Sequence, residues 1–291
     1  MGNFLNELDV QAALDLYREG LALARRTGRA DMANQLVGNI GYSAFLSGDW
    51  ESALEELDAV IHGSVALEPR DVILLLNNEL VIRANRGDDI TDGLAEIESM
   101  GKDMSGTIWH LFVADPQANA AMARGDLAQA RSSYEEVAAA DTSQAPEFFY
   151  RAFRAALWAG DLGEAKRLVA AQEQSGGYGP VILARRATMR AGIAALEGRA
   201  TEALSSYREA MKVWRSSHCV WDEAMTGIDM AQLLDPSDPE VAEAIASTRS
   251  ILERLAAKPY LERLEAAVAR GAPVAKPARR ASATAEVAVA E

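Results

Sequence analysis

The residues of this chain most able to hold a metal or move a proton near neutral pH are three histidines, His62, His110 and His218, and one cysteine, Cys219. The histidines are scattered, and none sits in a His-Glu-x-x-His spacing. His218 and Cys219 stand close to Asp222, but sequence neighbours on a helix point apart and a single cysteine leaves a ligand set short. The glycine-rich run Gly176, Gly177 and Gly179 lacks the Lys-Ser or Lys-Thr of a phosphate loop and reads as a loop between helices. No nucleophile carries a recognisable local signature. Carboxylate runs such as Glu51, Glu55 and Glu56, or Glu135 and Glu136, read as solvated helix faces, and Asp49 and Asp126 as helix caps. The residues thus point to no catalytic centre, no metal and no cofactor.

What the chain does carry is a repeat. Gly48-Asp49-Trp50-Glu51-Ser52-Ala53 is matched by Gly125 to Ala130, Gly160 to Ala165 and Gly198 to Ala203. Two weaker copies flank these: Leu8 to Ala13 has lost the glycine, and the copy at Gly87 carries Gly93 in place of the alanine. The turn glycines Gly48, Gly87, Gly125, Gly160 and Gly198 are spaced by 39, 38, 35 and 38 residues, a period typical of helical solenoids. In each unit glycine supplies the left-handed turn that ends a first helix, and the small residue lets a second helix approach it closely. Four residues on, Tyr17, Leu57, Ile97, Tyr134, Val169 and Tyr207 fall on the same helix face, which is therefore the buried one.

At these residues the chain resembles the tetratricopeptide repeat (TPR) family, whose units have a Gly-Asp turn, an early alanine in the second helix and an aromatic one turn later. The clearest unit spans 35–60, with Gly41 and Ala44 in the first helix and Gly48, Ala53, Leu57 and Val60 at the turn and in the second. The units exceed the usual 34 residues and nearly all lack the closing proline. In that they look like the TPR regions ending large bacterial regulators, the ATPases with a LuxR-type output domain or the proteins with an adenylate or guanylate cyclase domain. The segment Leu255 to Arg263 resembles the last helices of that group. The resemblance implies an all-α fold, a right-handed α-solenoid of antiparallel helix pairs with about six to seven repeats. It also implies that first helices line a concave groove, where Gln35, Asn39, Tyr42, Asn78, Asn119, Tyr150, Arg154 and Arg185 would face a ligand. Asn, Tyr and Arg side chains there could hydrogen-bond an extended peptide backbone and pack its side chains.

Length and composition agree with one elongated domain over 1–271, because a solenoid of 291 residues grows in one dimension and needs no second core. The last stretch, 272–291, is dominated by Ala, Pro, Val and Arg without a helical stripe and reads as a disordered tail. Within it, Arg279-Arg280-Ala281-Ser282 looks like a basic-directed phosphorylation site. A net charge of −14 argues against nucleic acid and anionic membrane surfaces as partners. One cysteine, no secretory signal and no long apolar run point to the cytoplasm.

Along the chain, 3–27 reads as a helix that matches the second half of a repeat. Its first-half partner is missing from the sequence, so either its exposed face seeks an upstream domain or a second copy, or the helix itself acts as the cap. Linkers are expected at 63–69 and 101–106, and Pro116 suggests two short helices or a kink near Ala114 and Asp115. Phe148, Phe149, Phe153 and Trp158 mark the most aromatic helix. Two functions follow as expectations. The first is a non-enzymatic protein-interaction scaffold, the regulatory arm of a bacterial signalling or transcription regulator. The second is a small-ligand sensor whose effector enters the groove or the aromatic region and shifts the solenoid's curvature.

Overall fold

In the computed structural model, which describes residues 3–63, 67–102 and 109–271, the described residues form helices and no strand. The expected tail, its Arg-Arg-Ala-Ser motif and parts of both expected linkers lie outside those residues. The helices are α1 (Asn3–Asn6), α2 (Val10–Arg26), α3 (Ala30–Ser47), α4 (Trp50–Ile61), α5 (Pro69–Arg86), α6 (Thr91–Gly101), α7 (Trp109–Arg124) and α8 (Leu127–Ala140). They continue as α9 (Ala145–Trp158), α10 (Leu162–Gln174), α11 (Pro180–Leu196), α12 (Ala200–Ser216), α13 (Val220–Leu233), α14 (Pro239–Arg254) and α15 (Lys258–Arg270).

The repeat grammar maps onto these elements. Gly48, Gly87, Gly125, Gly160 and Gly198 all have positive φ, between 70° and 88°, and each ends a helix. Ala13, Ala53, Ala130, Ala165 and Ala203 are buried, as are Tyr17, Leu57, Tyr134 and Tyr207 four residues after the first, second, third and fifth of them, and Ile97 four residues after Gly93. In the fourth of these pairs Leu168 takes the core position and Val169 is only partly buried. Where the second copy has Gly93, an added Cβ would lie 2.5 Å from Leu80 Cδ2, so a larger side chain from α5 fills the space an alanine occupies elsewhere. Asp126 and Asp161 cap α8 and α10 by accepting from Gln129 N and Glu164 N. Asp49 does not cap α4; its carboxylate receives Arg18 Nη2 at 3.1 Å instead.

Pro116 does not divide its segment: α7 runs unbroken through it. A proline at 116 has no N–H for the Phe112 carbonyl one turn back. Asn77 on α5 supplies the missing donor, its Nδ2 reaching Phe112 O at 3.0 Å. The neighbouring helix therefore repairs the break that the sequence pattern alone suggests.

Helix-to-helix packing closes the chain on itself. The first helices α3, α5, α7, α9, α11 and α13 follow one another, and α13 packs back against α3. The last described helix, α15, then crosses from α13 to α5 and α7. At this junction Trp221 meets Trp50 and Tyr260 at 5.0 Å between ring centroids, and Phe45 at 5.6 Å. Polar bonds tie the same seam: Arg254 Nη1 donates to Gly48 O at 3.0 Å and Arg86 Nε to Leu255 O at 3.2 Å. A side chain at Gly48 or Gly87 would run into Leu255 and Val220, or into Pro259, besides requiring a strained positive φ. The beginning of the chain joins the same closure. Val10 N donates to Ser217 O at 3.1 Å, Val181 N to Glu7 O at 3.2 Å, and His218 Nδ1 lies 3.2 Å from Asp9 Oδ1. The helix expected over 3–27 is divided into α1 and α2; the start of α2 is engaged by the C-terminal half, while Leu16 and Leu23 further along it stay 53% exposed.

One continuous apolar core runs through α2 to α5 and α7 to α15. A smaller cluster of Ile73, Leu76, Leu80, Ile90, Ile97 and Val113 sits among α5, α6 and α7. No helix of the described residues is long and apolar enough to cross a membrane.

Candidate functional site

At the centre of the closed circuit, where a packed helical protein would place leucine and alanine, lie three guanidiniums and four carboxylates. They come from α7 (Asp115), α9 (Glu147, Arg151, Arg154), α11 (Arg185) and α13 (Asp222, Asp229). Helical spacing brings them inward together. Glu147, Arg151 and Arg154 are one and two turns apart on α9, and Asp222 and Asp229 two turns apart on α13.

Most of these charges are neutralised in pairs. Arg154 Nε donates to Asp229 Oδ2 at 3.2 Å, and Trp158 Nε1 to Asp229 Oδ1 at 2.6 Å. Arg151 bonds Glu147 and reaches Asp115 Oδ1 at 3.3 Å. Glu147 also accepts from the Tyr42 hydroxyl. The Tyr150 ring lies between two cations, 4.6 Å from the Arg154 guanidinium carbon and 5.8 Å from that of Arg185.

Arg185 is the exception. Its side chain is 4% exposed, its closest carboxylate oxygen is Glu147 Oε2 at 3.6 Å, and its Nε has no hydrogen-bond partner. Asp222, 5% exposed, accepts no hydrogen bond and makes no close ion pair among the described residues. Between them is a small buried cavity of about 30 Å³, lined by Glu147, Arg151, Arg154, Arg185 and Asp222 with Asn85, Tyr134, Tyr150, Trp221, Tyr260 and apolar neighbours. That volume admits one or two waters, or one small ion. A second, smaller space bounded by Asn6, Glu7, Tyr42 and Pro146 shares Glu147 and Arg185 with it and leads toward α1.

Burial sets the acid–base behaviour. It raises the carboxyls of Asp222 and Asp229 above their ordinary value even though Arg185 and Arg154 work against it. It carries Asp115 up to about 6, the Arg151 guanidinium resisting. Burial pushes Glu147 up as well, but the two guanidiniums of Arg151 and Arg185 outweigh it and hold that carboxyl below its ordinary value. Glu147 is therefore the firm anion of the centre, and Asp222 the carboxyl with least to hold its charge.

The eight positions expected to face a groove divide clearly. Asn78, Asn119, Tyr150, Arg154 and Arg185 are buried, Tyr42 and Asn39 are partly buried, and Gln35 is exposed. The structure brings Tyr42, Tyr150, Arg154 and Arg185 together at the centre. Asn78 and Asn119 instead tie helices to each other. Asn78 Nδ2 donates to Gly38 O at 3.2 Å, and Asn119 Oδ1 accepts from Asn85 Nδ2 at 3.0 Å. Asn85 Oδ1 in turn accepts from the Tyr260 hydroxyl at 2.7 Å. In this form α13 packs on α3 and α15 on α5 and α7, beside helices that carry several of these side chains.

Sequence reading missed Glu147, Arg151, Asp222 and Asp229. The signal was present on α13, where Asp222 and Asp229 share the face of Trp221, Met225 and Ile228, an acidic pair inside an apolar stripe. His62, in contrast, lies on the surface, 3.7 Å from Asp58. Cys219 is buried and its thiol is pushed up by that burial, which makes it inert rather than nucleophilic. No protein-family model matches the chain, and the comparison with curated proteins gives no match.

Proposed function

We propose that this chain is a non-enzymatic, TPR-like helical-repeat regulatory module in which a small polar effector at the charged centre sets how tightly the circuit of helices closes. The observation that carries the reading is the Arg185 guanidinium, buried with an unpartnered Nε beside a small buried cavity. Leaving a buried donor of a cation unsatisfied costs about 1–3 kcal/mol or more, and an occupant that accepts from it recovers that cost. The cavity touches α3, α5, α7, α8, α9, α11, α13 and α15, so its occupant contacts both halves of the chain. A ligand held there binds the closed form and not an opened one, which is the requirement for a sensor.

In this reading the units form a right-handed superhelix of about six to seven repeats drawn into a circuit, acting in the cytoplasm as the regulatory arm of a bacterial signalling or transcription regulator. Opening at the seam of α3 with α13 is the conformational variable, and the effector shifts it by its preference for the closed state. The experiment is a melting-temperature screen of small polar metabolites and simple salts, repeated on Arg185→Gln. An effector raises the melting temperature of the wild type and slows exchange of the seam amides of Val10 and Val181. If no small solute raises it, or if Arg185→Gln responds equally, the sensor reading fails.

The scaffold reading keeps one specific support. Leu16 and Leu23, two turns apart on α2, are 53% exposed, with Met32 at 44% nearby in sequence. In this second reading a protein partner docks on that outer face rather than in the closed centre. Binding then survives Arg185→Gln and is lost in Leu16→Ser/Leu23→Ser, a pattern opposite to that of the sensor.

A further inference from the structure

The centre's chemistry specifies its occupant more narrowly than "small and polar". The groups that line the cavity are three guanidiniums, Arg151, Arg154 and Arg185, against two carboxylates, Glu147 and Asp222. Asp115 and Asp229, which neutralise Arg151 and Arg154, do not line it. Glu147 is already shared: one oxygen takes Arg151, the other the Tyr42 hydroxyl. Arg185 reaches it only at 3.6 Å. A desolvated guanidinium without a close counter-charge is the costliest member of such a cluster. A water would accept from its Nε but supply no charge.

The other unpaired group explains how an anion is tolerated beside Asp222. The groups facing Asp222 are Arg185 from α11, Glu147, Tyr150, Arg151 and Arg154 from α9, Tyr134 from α8, Tyr260 from α15, and Cys219 and Asp229 near and on its own helix. None donates a hydrogen bond to it among the described residues, and burial favours its neutral form. As a neutral carboxyl it becomes a donor. One anion and one solvent proton taken up together leave the net charge of the centre unchanged.

We propose that the central cavity binds one compact monovalent anion of the halide class between Arg185 and Asp222, with a proton on the Asp222 carboxyl. The proposal rests on the sensor reading and names its ligand. Size is compatible, since a cavity of about 30 Å³ accommodates a single halide.

The test uses the full chain in sodium gluconate, with chloride or bromide substituted at constant ionic strength, at pH 5.5 and pH 8. Bromide crystals locate the ion by its anomalous signal. The halide raises the melting temperature saturably, more at pH 5.5 than at pH 8, and bromide appears in the cavity beside Arg185. Arg185→Gln abolishes the rise. Asp222→Asn, whose amide donates at every pH, keeps the rise and reduces its pH dependence to the part that Asp115 and Asp229 supply, an outcome a merely structural role for Asp222 does not produce. Circular dichroism confirms that both variants are folded, and the bromide peak in the wild type stands independently of them. Stabilisation that follows ionic strength alone, or a cavity holding only water, overturns the proposal. If an organic polar solute acts through Arg185 while halides do nothing, the anion assignment falls and the sensor reading stands. If neither acts, both fall.

Discussion

Asp229 shows what the buried charges do for the fold, because it alone neutralises Arg154 and also accepts from the Trp158 indole. Replacing it with alanine leaves a buried guanidinium without its carboxylate partner, with only the Tyr150 hydroxyl still accepting from it, and Asp229→Ala should lower stability by about 3–5 kcal/mol in urea titration. Asp115 behaves differently. Its folded form holds a proton up to about pH 6, whereas an unfolded aspartate releases it near 3.8. Folding therefore takes up a proton in that window, and stability falls as pH rises from about 4 through 6. Asp222 and Asp229, also raised, act with the same sign, while Glu147, held low, contributes stability that is lost only under acid below its ordinary range. The wild type should melt higher at pH 5.5 than at pH 7.5. Asp115→Asn, which carries no charge at either pH, should reduce that difference.

Elements were legible in the sequence where their cause is local. A glycine with φ near 80°, a buried alanine and a buried residue one turn later need only a few consecutive residues, so the helix pairs could be read directly. What failed were features with a distant partner. Pro116 reads as a break until Asn77, 39 positions earlier, donates to Phe112 O. Asn77→Leu should strand that carbonyl and cost about 1–3 kcal/mol, with exchange of α7 amides speeding up before those of α9. Close approach of second helices is tested at Ala203, fully buried between α11 and α12. Ala203→Leu should overpack the pair and lower stability by about 1–3 kcal/mol. The crossing of α13 and α14 is tighter still, since a Cβ at Gly227 would lie 1.8 Å from Thr248 Oγ1, and Gly227→Ala should destabilise through the same mechanism.

The whole molecule turns on closure, and closure was not legible. The bonds that make it join residues some 170 to 210 positions apart, such as Arg86 with Leu255, Gly48 with Arg254 and Val10 with Ser217. A 35- to 39-residue period contains no trace of them. The groove side chains were found because they lie on first helices, but their acidic partners on α13 belong to the other side of the circuit. That is why Arg154 and Arg185 read as ligand contacts when their immediate neighbours are protein carboxylates. A closed circuit should also couple its halves. Arg254→Ala removes a bond between α14 and the turn after α3, and should speed exchange at Val10 as well as at its own site.

The most direct test of the closed circuit is a distance. Spin labels at Ala12→Cys and Ser216→Cys, both exposed positions beside the Val10 to Ser217 contact, are placed in a Cys219→Ser background and measured by pulsed dipolar spectroscopy. The closed circuit gives one short, narrow distance in solution, and Arg254→Ala broadens it. A long or broad distribution in the wild type would mean an open solenoid, and would remove the buried centre on which the sensor and anion assignments depend.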